Sequence, residues 1–372
     1  MTTDPIGIYV HIPFCKSKCN YCDFCSYPSL YEARADEYVE RVITEADGYR
    51  KEHPLRVDTV YFGGGTPSLL TPSQLERLLK ALREVFDILP DAEITLEANP
   101  GTLTEEKAKG YKALGINRIS LGVQTIHEKE LKSLGRIHTY GDFLTSYKLL
   151  RECGFDNISV DLMYGIPHQT TDSFAETLRE IILLKPEHIS AYGLIIEEGT
   201  PFYGMADTLP LPTEDEECEM YYTASRILKD AGYSHYEISN YATPSRESRH
   251  NLKYWHDEQY IGLGAAAYSY FGGSRHGNPR SFDEYMSGAP VEDIDTPDRD
   301  GEMFEYAMMH LRLAEGIDLA GYEARFGASF AEGKEDTIEK YKRAGMLTCD
   351  EERIALTEQG FYISNSILSE LL

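Results

Sequence analysis

The chain carries seven cysteines in 372 residues, and four of them crowd between Cys15 and Cys25. Cys15, Cys19 and Cys22 follow a C-x3-C-x2-C spacing, and Cys25 comes three residues later. A loop that curls on itself can point three such sulfurs at one centre. Thiolates are soft ligands suited to iron–sulfur clusters or zinc. A four-iron cluster held by three protein thiolates keeps one iron open to another ligand, and that iron is where chemistry would occur. Structural zinc wants four ligands, and Cys25 could supply the fourth sulfur. Disulfide pairing fits less well. No apolar leader precedes the first apolar run, since Met1-Thr2-Thr3-Asp4 leads almost directly into it. A reducing cytoplasm is expected, where clustered cysteines bind metal or do redox work.

The loop needs a frame. Six strand-like runs recur at Ile6–Ile12, Val57–Phe62, Glu93–Ala98, Arg118–Val123, Asn157–Leu162 and His188–Ile195. Between them, segments such as Pro72–Phe86 and Leu103–Leu114 place apolar residues at three- and four-residue steps. This alternation predicts parallel βα units. Such a sheet is either open and doubly wound or an incomplete barrel, and both bind ligands at the C-terminal strand ends.

The strand ends carry the unusual residues. Gly63-Gly64-Gly65-Thr66-Pro67 follows the second strand, and glycines there let backbone groups approach a ligand. Glu97 ends the third strand, Gln124 the fourth, and Asp161 lies on the fifth. Arg136 follows the fourth in LGRIH, and its planar fork matches a carboxylate. Each alone is ordinary; together, at the ends of successive strands, they predict one site.

The string YVHIPFC with the C-x3-C-x2-C loop, and Tyr21 just before its third cysteine, resembles the radical S-adenosylmethionine (SAM) enzymes, in their coproporphyrinogen III oxidase-like branch. The resemblance spans Tyr9 to at least Ala267 and continues more weakly beyond. It implies a partial (β/α)6 barrel over residues 1–240 and a smaller, mainly helical domain over 241–372 with a winged-helix-like hairpin. It implies a [4Fe–4S] cluster on Cys15, Cys19 and Cys22, with SAM bound by Tyr9, Tyr21, Gly64, Gly65, Thr66, Glu97, Gln124, Arg136, Asp161 and the backbone around Ile195. SAM's amino and carboxylate groups would chelate the open iron, and an electron from the reduced cluster would cleave a C–S bond to give a 5′-deoxyadenosyl radical. The oxidase branch has its extra cysteine two residues after the third, where this chain has Phe24. Cys25 is therefore expected to be a bystander.

Beyond Pro212, Glu214–Ala231 predicts an amphipathic helix with an acidic start, favourable at a helix N-terminus. Arg249-His250-Asn251-Leu252-Lys253-Tyr254-Trp255 then matches HNxxYW, which within the resemblance marks the HemW-type proteins. It offers an imidazole to iron beside two aromatic faces on which a porphyrin could stack. His250 packing a domain joint is the competing reading. Gly262-Leu263-Gly264-Ala265-Ala266-Ala267 permits close backbone packing or approach to a flat ligand. The tail predicts helices and a hairpin, Leu347–Leu356, around Asp350-Glu351-Glu352.

The formal net charge of −26 and the acidic hairpin tip argue against nucleic acid. No run approaches the ~18 apolar residues of a membrane span. The resemblance thus implies a heme chaperone that carries heme as cargo to acceptors such as respiratory-chain cytochromes. It would touch a membrane peripherally, through its acceptor, and need an electron donor if SAM is cleaved. The alternative is an oxygen-independent coproporphyrinogen III oxidase, decarboxylating two propionates to vinyl groups. Against it stand eight residues before Tyr9, where the oxidases carry a long extension, and no evident cationic anchor for propionates.

Overall fold

The computed structural model describes residues 4–28 and 30–372. The six expected runs are strands β1 (Ile6–Ile12), β2 (Arg56–Gly64), β3 (Asp87–Ala98), β4 (Arg118–Gln124), β5 (Ile158–Tyr164) and β6 (His188–Gly193). They pair in that order and all parallel, as βα crossovers require. Strand β1 is buried along nearly its whole length, which is why IGIYVHI reads as an almost continuous apolar run. Its outer edge is covered, so β1 does not meet β6 and the barrel stays partial.

Helices between the strands begin where threonines cap them. Thr71, Thr139, Thr170 and Thr213 each accept from the backbone three residues on, and that residue's side chain bonds back. This reciprocal cap satisfies amides that a helix start leaves unpaired.

The sheet is larger than six strands. Further strands are β7 (Ser234–Glu237), β8 (Asn240–Ala242), β9 (Tyr260–Leu263), β10 (Tyr268–Phe271), β11 (Ser274–Gly277) and β12 (Glu292–Asp295). The order is β12–β11–β10–β9–β1–β2–β3–β4–β5–β6–β8–β7. Strand β9 runs parallel to β1, pairing Ile261 with Ile8. The glycine–alanine run expected to approach a neighbour does so here: a Cβ on Gly262 would meet the Tyr268 carbonyl oxygen at 2.0 Å.

The division expected at 240/241 therefore falls inside one sheet. Ile261, Leu263, Phe282 and Tyr285 pack into the same core as β1 to β6. A second core, Tyr221 together with residues from Ala307 to Leu371, gathers helices around the expected hairpin, β14 (Leu347–Cys349) and β15 (Arg353–Leu356), with β13 (Ile317–Asp318) beside β15. Asp350 Oδ1 closes the turn by accepting from the Glu352 and Arg353 amides at 2.8 Å each. Asp257, buried, ties the two bodies through Arg275 at 3.1 Å and Arg325 at 2.8 Å.

Candidate cluster and cofactor cavity

A cavity of about 630 Å³ opens at the C-terminal ends of the parallel strands, within the range of cofactor sites. Cys15, Cys19, Cys22 and Tyr21 line it from the loop after β1, Gly64, Gly65 and Thr66 from the end of β2, and Glu97 from β3. Gln124, Asp161 and Arg136 line it as well.

The glycine run is there for room. Gly64 has φ +107°, and a Cβ on it would lie 2.4 Å from the His11 ring. A Cβ on Gly65 would lie 2.6 Å from the Phe14 carbonyl oxygen. Glu97 is held by the Gly64 amide at 3.0 Å and the Tyr61 hydroxyl at 2.8 Å. Burial, with Asp161 adding to it, pushes its carboxyl up to about 7 despite those two donors. Asp161 accepts from Ser120 Oγ with both oxygens at 3.0 Å, and burial raises it too. Gln124 has φ +69°, beside a register shift between β4 and β5. A bulge at a strand end re-aims the side chain, and a non-glycine residue accepts this backbone only where its surroundings enforce it.

A hydrogen-bonded chain joins two of the cysteines. Thr66 Oγ1 donates to Cys15 Sγ at 3.5 Å and accepts from Asn99 Nδ2 at 2.9 Å. Asn99 Oδ1 accepts from Arg136 Nη2 at 2.6 Å, and Arg136 Nη1 donates to Cys19 Sγ at 3.5 Å. Donors aimed at sulfur favour the thiolate. Burial still raises the Cys15 and Cys22 thiols, and each feels neighbouring cysteines.

The structure also places residues that the sequence reading passed over. Asn99 directly follows the end of β3, two residues beyond Glu97, and that position is its signal. Met163 and Tyr192 line the cavity from β5 and β6. His138 does so with a buried Nε2 that lacks a protein partner, as does Arg136 Nε.

Three expected residues lie elsewhere. Tyr9 does not line this cavity; its hydroxyl bonds His11 Nδ1 at 3.0 Å, on the other side of the loop. The segment around Ile195, whose backbone was expected at the site, lies past the end of β6 with the Ile195 side chain 69% exposed, and Tyr192 lines the cavity from that strand. His250 is 1% exposed, with Thr59 Oγ1 and Tyr254 Oη each 2.8 Å from a ring nitrogen. Burial first, then Lys253 and Arg118, lower it to about 3. In this arrangement both ring nitrogens have hydroxyl partners.

Cys25 stays out of the cavity, its Sγ donating to the Arg280 carbonyl at 3.0 Å. The zinc alternative thereby loses its fourth sulfur. Among the described residues, no three His, Cys, Asp or Glu side chains converge on a single-ion position. Three free thiols, Cys15, Cys19 and Cys22, line the cavity, Cys15 and Cys19 with side-chain donors, and thiolates of this kind suit an iron–sulfur cluster.

The class follows from this geometry and from comparison. Residues 9–181 match the radical SAM superfamily model, and residues 298–363 match that of the HemN C-terminal domain. The solved coproporphyrinogen III oxidase (HemN) of Escherichia coli, described as a radical SAM enzyme, superposes with a TM-score of 0.87, covering 99% of this chain and 90% of that one. At 24% identity that likeness shows the fold.

Relatives closer in sequence run end to end. The chain is 37% identical to the heme chaperone HemW of Lactococcus lactis, over 100% of this chain and 98% of that one. It is 35% identical to that of Bacillus subtilis, over 98% of each, and 34% identical to that of E. coli K12, over 99% and 98%. The chain belongs to the HemW family of radical SAM proteins. No helix among the described residues is long and apolar enough to cross a membrane.

Proposed function

We propose that this protein carries heme and passes it to acceptor proteins, respiratory-chain cytochromes among them, while its cavity holds a [4Fe–4S] cluster and SAM. The end-to-end identity with relatives named heme chaperones carries this reading. Cys15, Cys19 and Cys22 would hold the cluster. When bound, the pair supplies one-electron chemistry at SAM's sulfonium. The chain's own residues bind and orient: Arg136 faces a carboxylate, and Glu97 with the Gly64–Gly65 backbone faces an amino group. Thr66 and Arg136 steady the thiolates they already donate to. The reading sets the protein in the cytoplasm, where these thiols stay reduced, with an electron donor as a further partner if SAM is cleaved. Its net charge of −26 sets nucleic acid aside.

The test uses anaerobically reconstituted protein in two assays. One titrates heme and follows the Soret band. The other supplies coproporphyrinogen III, SAM and a strong reductant and looks for the divinyl product. Stoichiometric heme binding without turnover is the expected outcome. Turnover to the divinyl product would make the protein an oxidase instead.

A further inference from the structure

The HNxxYW helix, Arg249–Trp255, lines no part of the larger cavity except through what it supports. It packs against β1 to β3 below their C-terminal ends. There the Glu93 carboxylate accepts from the Arg249 and His250 amides at 3.3 and 3.2 Å. Lys253 Nζ donates to the Pro5 carbonyl oxygen at 3.0 Å and pairs with Asp58 at 2.9 Å. These contacts pin the helix, and with it the His250 ring, against the sheet.

Side chains alternate along a strand, so every second residue of β1, β2 and β3 shares one face. The register sets Gly7 beside Thr59 and Thr59 beside Glu93. It sets Tyr9 beside Tyr61, Tyr61 beside Thr95, and His11 beside Gly63. Layers result, as in closed barrels. The lowest layer holds His250, whose Nδ1 lies 2.8 Å from Thr59 Oγ1. The middle layer is aromatic. The Tyr61 ring stacks on the His250 ring with centroids 5.2 Å and planes 26° apart, and the Tyr9 ring stacks on Tyr61 at 6.2 Å and on His250 at 6.4 Å. A Cβ on Gly63 would lie 2.9 Å from each tyrosine ring, so the first glycine of the run gives these rings their room. The top layer carries Glu97, which lines the cavity.

Tyr61 links the layers. Its ring rests on His250, and its hydroxyl donates to Glu97 Oε1 at 2.8 Å while the Gly64 amide holds Oε2. The hydroxyl oxygen lies on the ring axis, so whatever fixes the ring fixes the donor. A carboxylate held by two donors presents its remaining lone pairs in set directions, and an incoming ammonium must meet those directions.

We infer that His250 is a positioning residue for the cofactor: through the stacked Tyr61 ring it sets the direction of Glu97, the carboxylate that meets SAM's amino group. The inference rests on the proposed SAM site. It uses the imidazole as a flat surface, with both nitrogens engaged by Thr59 and Tyr254.

The test measures SAM affinity by equilibrium dialysis on the anaerobically reconstituted full chain, with iron, sulfide and the urea midpoint recorded for each variant. Tyr61→Phe keeps the stacked ring and removes only the hydroxyl. His250→Gln keeps a side chain that can donate and accept toward Thr59 and Tyr254, and removes the ring. Each should weaken SAM about tenfold, the scale of one hydrogen bond to a charged group, with cluster content at the wild-type level. His250→Phe does the reverse of His250→Gln. It keeps a ring against Tyr61 and leaves both hydroxyls unpaired, so it should lower the urea midpoint yet bind SAM as wild type does. The double variant of Tyr61→Phe and His250→Gln should bind no more weakly than Tyr61→Phe alone, because the second change acts through a hydroxyl already gone. Wild-type affinity in Tyr61→Phe or His250→Gln, a loss in His250→Phe equal to that in His250→Gln, or losses that multiply in the double variant would overturn the inference and leave the SAM site standing. A wild type that binds no SAM would overturn the proposed SAM site itself.

Discussion

Asn99 and Arg136 meet at 2.6 Å, and through that contact Thr66 and the guanidinium become one chain between Cys15 and Cys19. Thirty-seven residues separate the two in sequence. The cation is thereby fixed in direction before any ligand arrives. Preorganised donors lose little freedom on binding, which is where their advantage lies.

Breaking that chain should cost cofactor affinity before it costs the fold. Asn99→Leu removes the anchor of Arg136 Nη2 but leaves its bond to the Gly122 carbonyl at 2.7 Å. SAM affinity, read by equilibrium dialysis, should fall about tenfold. Arg136→Met removes the cation itself, and a charged hydrogen bond worth roughly 1.5–3 kcal/mol corresponds to about a 10- to 100-fold loss. Equal affinity in Arg136→Met would remove Arg136 from the site.

Glu97 should give the protein a pH response near neutrality. Its carboxyl is pushed up to about 7 in the fold, chiefly by burial. A raised acid stabilises the folded state fully below its unfolded value, and this is lost as pH rises through about 7. The contribution is on the order of 3 kcal/mol. Glu97→Gln should therefore flatten the fall in urea midpoint across that pH range. Glu237, also raised to about 7 by burial, retains its own share. A bound ammonium pairs with the ionised form, so SAM should bind wild type more tightly above about pH 7 and Glu97→Gln without that dependence. An identical pH profile in the variant would contradict this assignment.

The proposed cluster ligands should be separable from Cys25. After anaerobic reconstitution, Cys19→Ser should lose iron and sulfide, because its sulfur lines the larger cavity. Cys25→Ser should retain both, because its sulfur faces away. Cluster loss in Cys25→Ser would refute the ligand set.

Substituting His250 should act on stability. His250→Ala leaves the buried Thr59 hydroxyl and the Tyr254 hydroxyl without a partner, at about 1–3 kcal/mol for each group left unsatisfied. Chemical denaturation should show that loss, while bound heme keeps its wild-type Soret position. A shifted Soret band would return His250 to the iron.

Much of this protein is determined by its sequence alone. The cysteine spacing, the apolar runs, the threonine caps and the polar strand ends are local signals, set by coordination chemistry, backbone period and hydrogen bonding within a few residues. They suffice for the parallel strands and for most of the cavity wall. What faces what was decided only by tertiary packing. Strand β1 is buried on both faces, so alternation along it cannot say which side Tyr9 and His11 occupy. The pairing of β9 with β1 extends the sheet past residue 240. The Thr59 and Tyr254 hydroxyls, one from β2 and one four residues along the chain, close over His250. Cys25, three residues from Cys22 in sequence, opens onto a different cavity because the loop turns between them. Contacts such as Thr59 with His250 join residues far apart in the chain, and their distances exist only once the sheet has brought the strands together.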